Sequence, residues 1–284
     1  MTRPVSNPGS NIGPNLSTWV ATTTILVFTV LAIAAPWLAP YDPAAQDLLH
    51  RLAPPVWAAT GDWGHVFGTD GLGRDYLSRL LYGGRISLTV GLLVALFSGA
   101  IGLVLGLLGG YFGGRTDAVI MFIITTRLSM PVVLVALAVV AVVGASLWST
   151  ILVLGLLFWD RFAIVIRAAT MQLANREFVV AARALGASHF HVLFRELLPN
   201  LRQHFLAVAT IEMSHAILVE SALSFLGIGT QPPTPSWGLM VSEGRELALF
   251  LPYLIALPGL AIFVLVISIN VIGNRFETGT SRRL

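Results

Sequence analysis

The sequence predicts an all-α, polytopic membrane protein: six transmembrane helices, with a short amphipathic cytoplasmic helix between the fourth and the fifth. Three observations predict it. The 284 residues are 56% hydrophobic and 11% charged, with mean hydropathy +0.81, whereas an ordinary soluble domain is about 25% charged. A polar shell that thin cannot cover the chain in water, so lipid is part of its solvent. Crossing a bilayer takes about 20 mostly apolar residues, and six stretches reach that length. Between the fourth and fifth stretches, apolar residues recur at helical spacing among arginines.

Taken in order, residues 1–17 form an N-terminal tail and residues 18–38 a first transmembrane anchor. Ala32-Ile33-Ala34 resembles a signal-peptidase site. The apolar stretch, however, exceeds the roughly 7–15 residues of a signal core, and the long segment before it carries only Arg3, so a retained anchor is expected. Residues 39–85 form an extracytoplasmic loop, and residues 86–272 a core of five further spans: Ile86–Gly109, Ala118–Val143, Leu147–Ile166, His204–Leu226 and Leu251–Ile272. Ser98, Gly102, Gly106 and Gly110 repeat along the second span as a small-residue face that admits a close neighbour, expected within the same subunit. Gly144–Ser146 joins the third and fourth spans as a tight hairpin. Residues 273–284 form a C-terminal tail.

Arginine placement orients the chain. With both termini inside, ten arginines lie on cytoplasmic segments and five outside, while Arg127 and Arg161 remain within spans. Arg127 is expected to pair with Asp160 or Asp117.

Several function classes are excluded by composition. There is no cysteine, hence no disulfide, thiol catalysis or Cys-based metal site. All 17 basic residues are arginine, so the chain has no Walker A lysine and no amine for imine chemistry. Gly-x-Ser-x-Gly and His-Glu-x-x-His are both absent. The pI near 9.8 reflects arginines scattered between apolar runs, which suits membrane orientation and not nucleic acid.

The inner segment Arg167–Gln203 is the most informative. Phe178, Ala181, Ala182 and Leu185 share one helical face, Gly186 ends that helix, and Ser188 caps a second helix with Phe190, Leu193, Phe194 and Leu197 at helical spacing. Pro199 is expected to stop it just before the fifth span. Such a shape suits docking into a groove or, since arginines flank its apolar stripe, lying in the lipid headgroups, which composition alone slightly favours. Within the fifth span, Glu212 and His215 share a face, and Glu220 lies further along. In the outer loop, Gly68, Gly71 and Gly73 permit turns, and Asp70, Arg74 and Asp75 are expected to cross-bond.

The inner segment resembles the EAA loop of bacterial ABC-importer permeases. Ala181, Ala182, Gly186, Leu198 and Pro199 fall in register on its pattern, while Val180 stands where the motif has Glu and Glu196 where it has an apolar residue. Glu177 lies one turn before Ala181. The resemblance extends to the dipeptide/oligopeptide/nickel permease group through Gly68–Asp75, Leu77-Ser78-Arg79, Gly84–Leu88, Tyr111–Gly114, Ser224–Gly227 and Gln231–Gly238. The length and the long first outer loop resemble the second of that group's two permease types.

That resemblance implies a subunit that is not itself an enzyme and holds no cofactor. Its partners would be a second homologous permease, two ABC ATPases, an extracytoplasmic substrate-binding protein and the lipid bilayer, with no nucleic acid. It implies a multi-pass protein of the bacterial inner membrane, both termini cytoplasmic, translocating di- or oligopeptides by alternating access; nickel or a metallophore chelate is the alternative cargo, suggested by His215. The helix between the fourth and fifth spans becomes a coupling helix, with Glu177, Ala181, Ala182, Arg183, Gly186, Leu198 and Pro199 as ATPase-coupling residues. Glu212, His215 and Glu220 become pathway candidates, and Gln231, Pro232, Pro233 and Trp237 binding-protein contacts.

Overall fold

In lipid, backbone polar groups must be satisfied within the chain, and this chain does so with helices. The computed structural model describes residues 16–281, with side chains to residue 276, and among them no strand occurs. Helix α1 (Leu16–Leu38) leads into a long segment, 39–75, that marks the upper end of the bundle. Helix α2 (Tyr76–Phe112) runs down the centre and turns at Gly113 into α3 (Gly114–Leu128) and α4 (Val132–Val143). Helices α5 (Leu147–Leu157) and α6 (Trp159–Ala174) together form the next span. At the lower end come α7 (Glu177–Ala184), α8 (His189–His191) and a π-helical stretch Val192–Leu197 that merges into α9 (Leu198–Phe225). Helix α10 (Trp237–Gly244) and α11 (Tyr253–Ser281) complete the chain. Five helical runs are long and apolar enough to cross a membrane, or six if the bent pair α3 and α4 is one span.

Three expected boundaries differ. The helix that carries the second span begins at Tyr76, ahead of Ile86, because Asp75 caps it by accepting the Ser78 N–H at 2.8 Å; the last turns of the expected outer loop 39–85 are therefore helical. The third span is not one rod: α3 and α4 meet at 82°, across Ser129–Pro131, where Pro131 carries no N–H to continue the ladder. Pro199 does not stop the helix before the fifth span; the run His189–Phe225 continues through it. The π-helical stretch just ahead, with the Leu198 N–H on the Leu193 carbonyl, widens the helix where the proline ring would otherwise clash. The Gly144–Ser146 hairpin is as expected, closed by a Ser146–Ser149 capping box.

The small-residue face of α2 meets α6 within the chain. A Cβ on Gly106 would lie 2.8 Å from the Ile166 side chain, and one on Gly110 2.6 Å from the Arg167 carbonyl. Glycine here lets the two backbones approach. Helix α1 is the least buried span. The tail residues 1–15 and 282–284, including Arg3, Arg282 and Arg283, lie outside the described residues, as does the Glu277 side chain.

Candidate functional site

At the lower end, α7 stops in a Schellman motif: the Ala187 N–H bonds the Ala182 carbonyl at 3.0 Å, the Gly186 N–H bonds the Arg183 carbonyl at 2.9 Å, and Gly186 takes φ +85°. Ser188 then caps the second helix, accepting from the His191 N–H at 3.2 Å. Both features follow the sequence expectation. The face expected to dock is left open, and another residue packs inward. Val179 is the buried residue of α7, and with Val192, Leu197 and Leu201 it enters a lower core around Leu107, Tyr111 and Ile166. Phe178, Val180, Ala181 and Leu185 stay on the surface, Leu185 at 89% exposure. Of the second helix's expected apolar face, Leu197 is buried while Phe190 and Phe194 stack on each other in the open, ring centroids 4.3 Å apart. Glu177 lies exposed in the first turn of α7, Pro199 is exposed, and Leu198 is partly covered by the lower core.

Two contacts tie this loop to the end of α2. The Tyr111 hydroxyl is 2.8 Å from His189 Nδ1, and the Arg183 guanidinium lies over the Tyr111 ring, 4.7 Å from its centroid. Nearby, Arg167 forks onto Asp117 between α6 and α3.

At the upper end, Asp70, Arg74, Arg79 and Glu243 form a largely buried ion network. Arg74 donates to Asp70 at 2.7 Å and to Glu243 at 3.0 Å, and Arg79 donates to Glu243 at 2.6 Å with Asp70 3.2 Å away. The expected loop staple is therefore present and ties the outer loop to α10, which sequence reasoning missed because Glu243 lies so far along the chain. Asp75 takes the helix cap and His65, at 2.9 Å. A cavity of about 360 Å³ lies beside this network, lined by Asp70, Arg74, Glu243, Arg245 and Glu246 among others. Further out on the loop, His50 hydrogen-bonds Asp47 at 2.6 Å and holds its carboxyl below the ordinary range.

Two expectations are corrected here. Trp237 was expected as an outward anchor but is 2% exposed: its indole N–H donates to the Leu80 carbonyl at 2.9 Å, and its ring lies on Gly83 and Gly84 of α2. Burying the largest side chain of the last loop against glycine backbones is worth more than displaying it. Pro232 and Pro233 remain exposed, and Gln231 turns back to the Gly227 carbonyl at 2.9 Å. Glu220 was expected along a pathway but is fully enclosed, accepting from Ser224 at 2.7 Å and Thr230 at 3.0 Å. It braces the loop after α9.

Glu212 and His215 do share a face, with His215 Nδ1 3.6 Å from Glu212 Oε1. What the sequence missed is their third member. Arg161 Nη1 lies 3.3 Å from Glu212 Oε1 and 3.0 Å from His215 Nδ1. Arg127 pairs with Asp160 at 3.1 Å, one of its two expected partners. The signal available was Arg161, an arginine inside a span with no expected partner, but helix-to-helix register is not written in either span alone. Among the described residues no group of three or more His, Asp or Glu is arranged to hold a metal ion.

Residues 102–284 match the family model of the binding-protein-dependent transport system inner membrane component, and residues 15–55 that of the N-terminal TM domain of oligopeptide transport permease C. The chain is 42% identical over 260 residues to the dipeptide transport system permease protein DppC of Escherichia coli K12, covering 92% of this chain and 87% of that one. It is 39% identical over 260 residues to the di/tripeptide transport system permease protein DppC of Pseudomonas aeruginosa, covering 92% and 86%. A solved structure of the MetNI methionine ABC transporter, inward facing, shares the fold at TM-score 0.58 and 18% identity, covering 71% of this chain and 95% of that one.

Proposed function

The chain belongs to the family of inner membrane components of binding-protein-dependent transport systems and is a permease subunit of an ABC importer, and on that premise we propose that its cargo is di- or tripeptides. One observation carries the coupling part of this reading. The helix–Gly–helix segment is anchored from within by Val179, Val192 and Leu197, yet leaves Phe178, Ala181 and Leu185 uncovered. An apolar ridge on a fixed base is suited to a groove in an ATPase. Two ATPases would close on ATP and push this ridge. Because α8, the π stretch and α9 form one helical run, the push passes along the fifth span, and through Tyr111–His189 and Arg183 it reaches α2. Rigid elements moving between two arrangements give alternating access. Glu177, Ala182, Gly186, Leu198 and Pro199 shape this segment. A second homologous permease would complete the pathway, an extracytoplasmic binding protein would deliver the peptide to the exposed Pro232–Pro233 turn beside Gln231, and both termini would be cytoplasmic.

The peptide relatives support peptide over nickel cargo. The site does too: a guanidinium 3.0 Å from His215 Nδ1 opposes a metal cation there.

The test is reconstitution. The purified chain alone should hydrolyse no ATP; with its partner permease, ATPases and binding protein, a dipeptide should stimulate hydrolysis and enter the vesicles. Gly186→Leu should abolish assembly or coupling, since φ +85° excludes a bulky side chain. Normal uptake in that variant would sink the docking reading.

A further inference from the structure

At the middle of the bundle lie charges that packing within one chain does not account for. In the continuous span Leu147–Ala174, Arg161 sits at the midpoint, about 20 Å from either end at the helical rise per residue. Its side chain is 53% exposed and that of His215 39%, while Glu212 is only 3% exposed. An arginine facing hydrocarbon at that depth is costly, so this side of α6 and α9 borders water or another subunit. A guanidinium carries only donors, so in the 3.0 Å contact His215 Nδ1 stands as the acceptor to Arg161. Arg127 and Asp160 neutralise each other next door. The remaining pair, Arg161 and Glu212, is held loosely: at 3.3 Å it is an ion contact, and Glu212 Oε1 is a buried acceptor with no hydrogen-bond donor.

We propose that Arg161 and Glu212 form a charge-exchange site for a zwitterionic peptide, Arg161 receiving its carboxylate and Glu212 its ammonium. The inference rests on the permease reading and names how the path selects cargo. A carboxylate can take two parallel bonds from the guanidinium fork, a better partner than the single-atom contact with Glu212. The ammonium supplies the donor that Glu212 Oε1 lacks. One pair within the protein becomes two pairs with the ligand, and no charge is stranded at low dielectric. An anion alone would strand Glu212, and a cation alone Arg161, each a penalty the zwitterion avoids. His215 holds Arg161 in place when the site is empty. Arg161 and Glu212 are binding residues in this scheme, and His215 is a positioning residue.

The experiment uses the assembled complex in proteoliposomes with its binding protein and the dipeptide Ala-Ala as probe. In R161Q and E212Q, uptake of Ala-Ala should fall about tenfold or more, the loss of one charge-assisted bond, in complexes that still assemble. The double variant R161Q/E212Q removes both charges without stranding either, and should assemble yet still transport poorly. The chain has no cysteine, so His215→Cys provides a unique label once partner thiols are removed. A water-soluble thiol reagent should modify it, more slowly during Ala-Ala transport, and should leave Val27→Cys of the lipid-facing α1 untouched. Wild-type uptake in R161Q or in the double variant would overturn the proposal, as would a His215→Cys that the reagent does not reach; either makes the pair packing. Should R161Q fail to assemble, the double variant and the label decide. Failure of the permease reading looks different: the wild-type complex itself would take up no dipeptide.

Discussion

The loop glycines of the lower end stand in open space, whereas glycines at the upper end are also packed against neighbours. At the upper end, a Cβ on Gly83 or Gly84 would lie 2.8 Å from the Trp237 ring, and one on Gly73 would strike the Asp47 carbonyl. At the lower end, Gly113, Gly114 and Gly186 have φ of 61°, 51° and 85°, yet a Cβ there meets nothing within 4 Å. Glycine turns the backbone at both ends, at Gly68, Gly73 and Gly227 above as at these three below, and at the upper end it also makes room for packed neighbours. The upper end is braced within the chain by Trp237, the four-residue ion network and Glu220. The lower end is shaped but not filled, leaving room for a partner.

That contrast can be broken by substitution, and four variants of the assembled complex would do it, read by thermal unfolding in detergent with assembly measured alongside. Trp237→Ala should cost most, about 3–5 kcal/mol, because it opens a cavity against α2 that glycines cannot fill. Arg79→Leu comes next, about 3 kcal/mol; Glu243 and Asp70 keep Arg74, which holds the loss to the lower part of the range for a broken buried pair. Leu185→Ser at the lower end should shift stability by no more than about 0.5 kcal/mol, since the side chain touches solvent, while ATPase assembly weakens sharply. Equal destabilisation by Leu185→Ser and Trp237→Ala would erase the distinction between the ends. Asp47→Asn should have the smallest effect. The lowered Asp47 pKa means its hydrogen bond with His50 adds stability above the ordinary aspartate value and loses it as pH falls through the lowered one. The difference between variant and wild type should therefore be slight at neutral pH and vanish in acid.

Much of the lower end was legible along the chain. Gly186, Ser188 and the hairpin at Gly144–Ser146 act on residues within a turn of themselves, so local chemistry specifies them. Neither break was read: Pro131 bends the third span, which was expected as one run, and Pro199, expected as a stop, is carried through because a π-helical stretch absorbs it. The inward residue of α7, Val179, was not legible, since a helix with apolar residues on several sides does not announce which side another element will cover. Trp237 and Glu220 were misplaced for the same reason. Each looked available until α2 and the loop after α9 closed over it. Arg161 stayed unassigned because its partners lie 51 and 54 positions away on another span.

The sequence by itself determined the solvent, the helices, their turns and the absence of any ATP-binding lysine, because hydropathy, capping and side-chain inventory are properties of short stretches. Only the tertiary structure decided which arginine meets which carboxylate, which aromatic is core and which apolar ridge is left uncovered. Those outcomes depend on the relative rotation and depth of helices. Lipid leaves both undetermined for a single span, and packing between spans settles them.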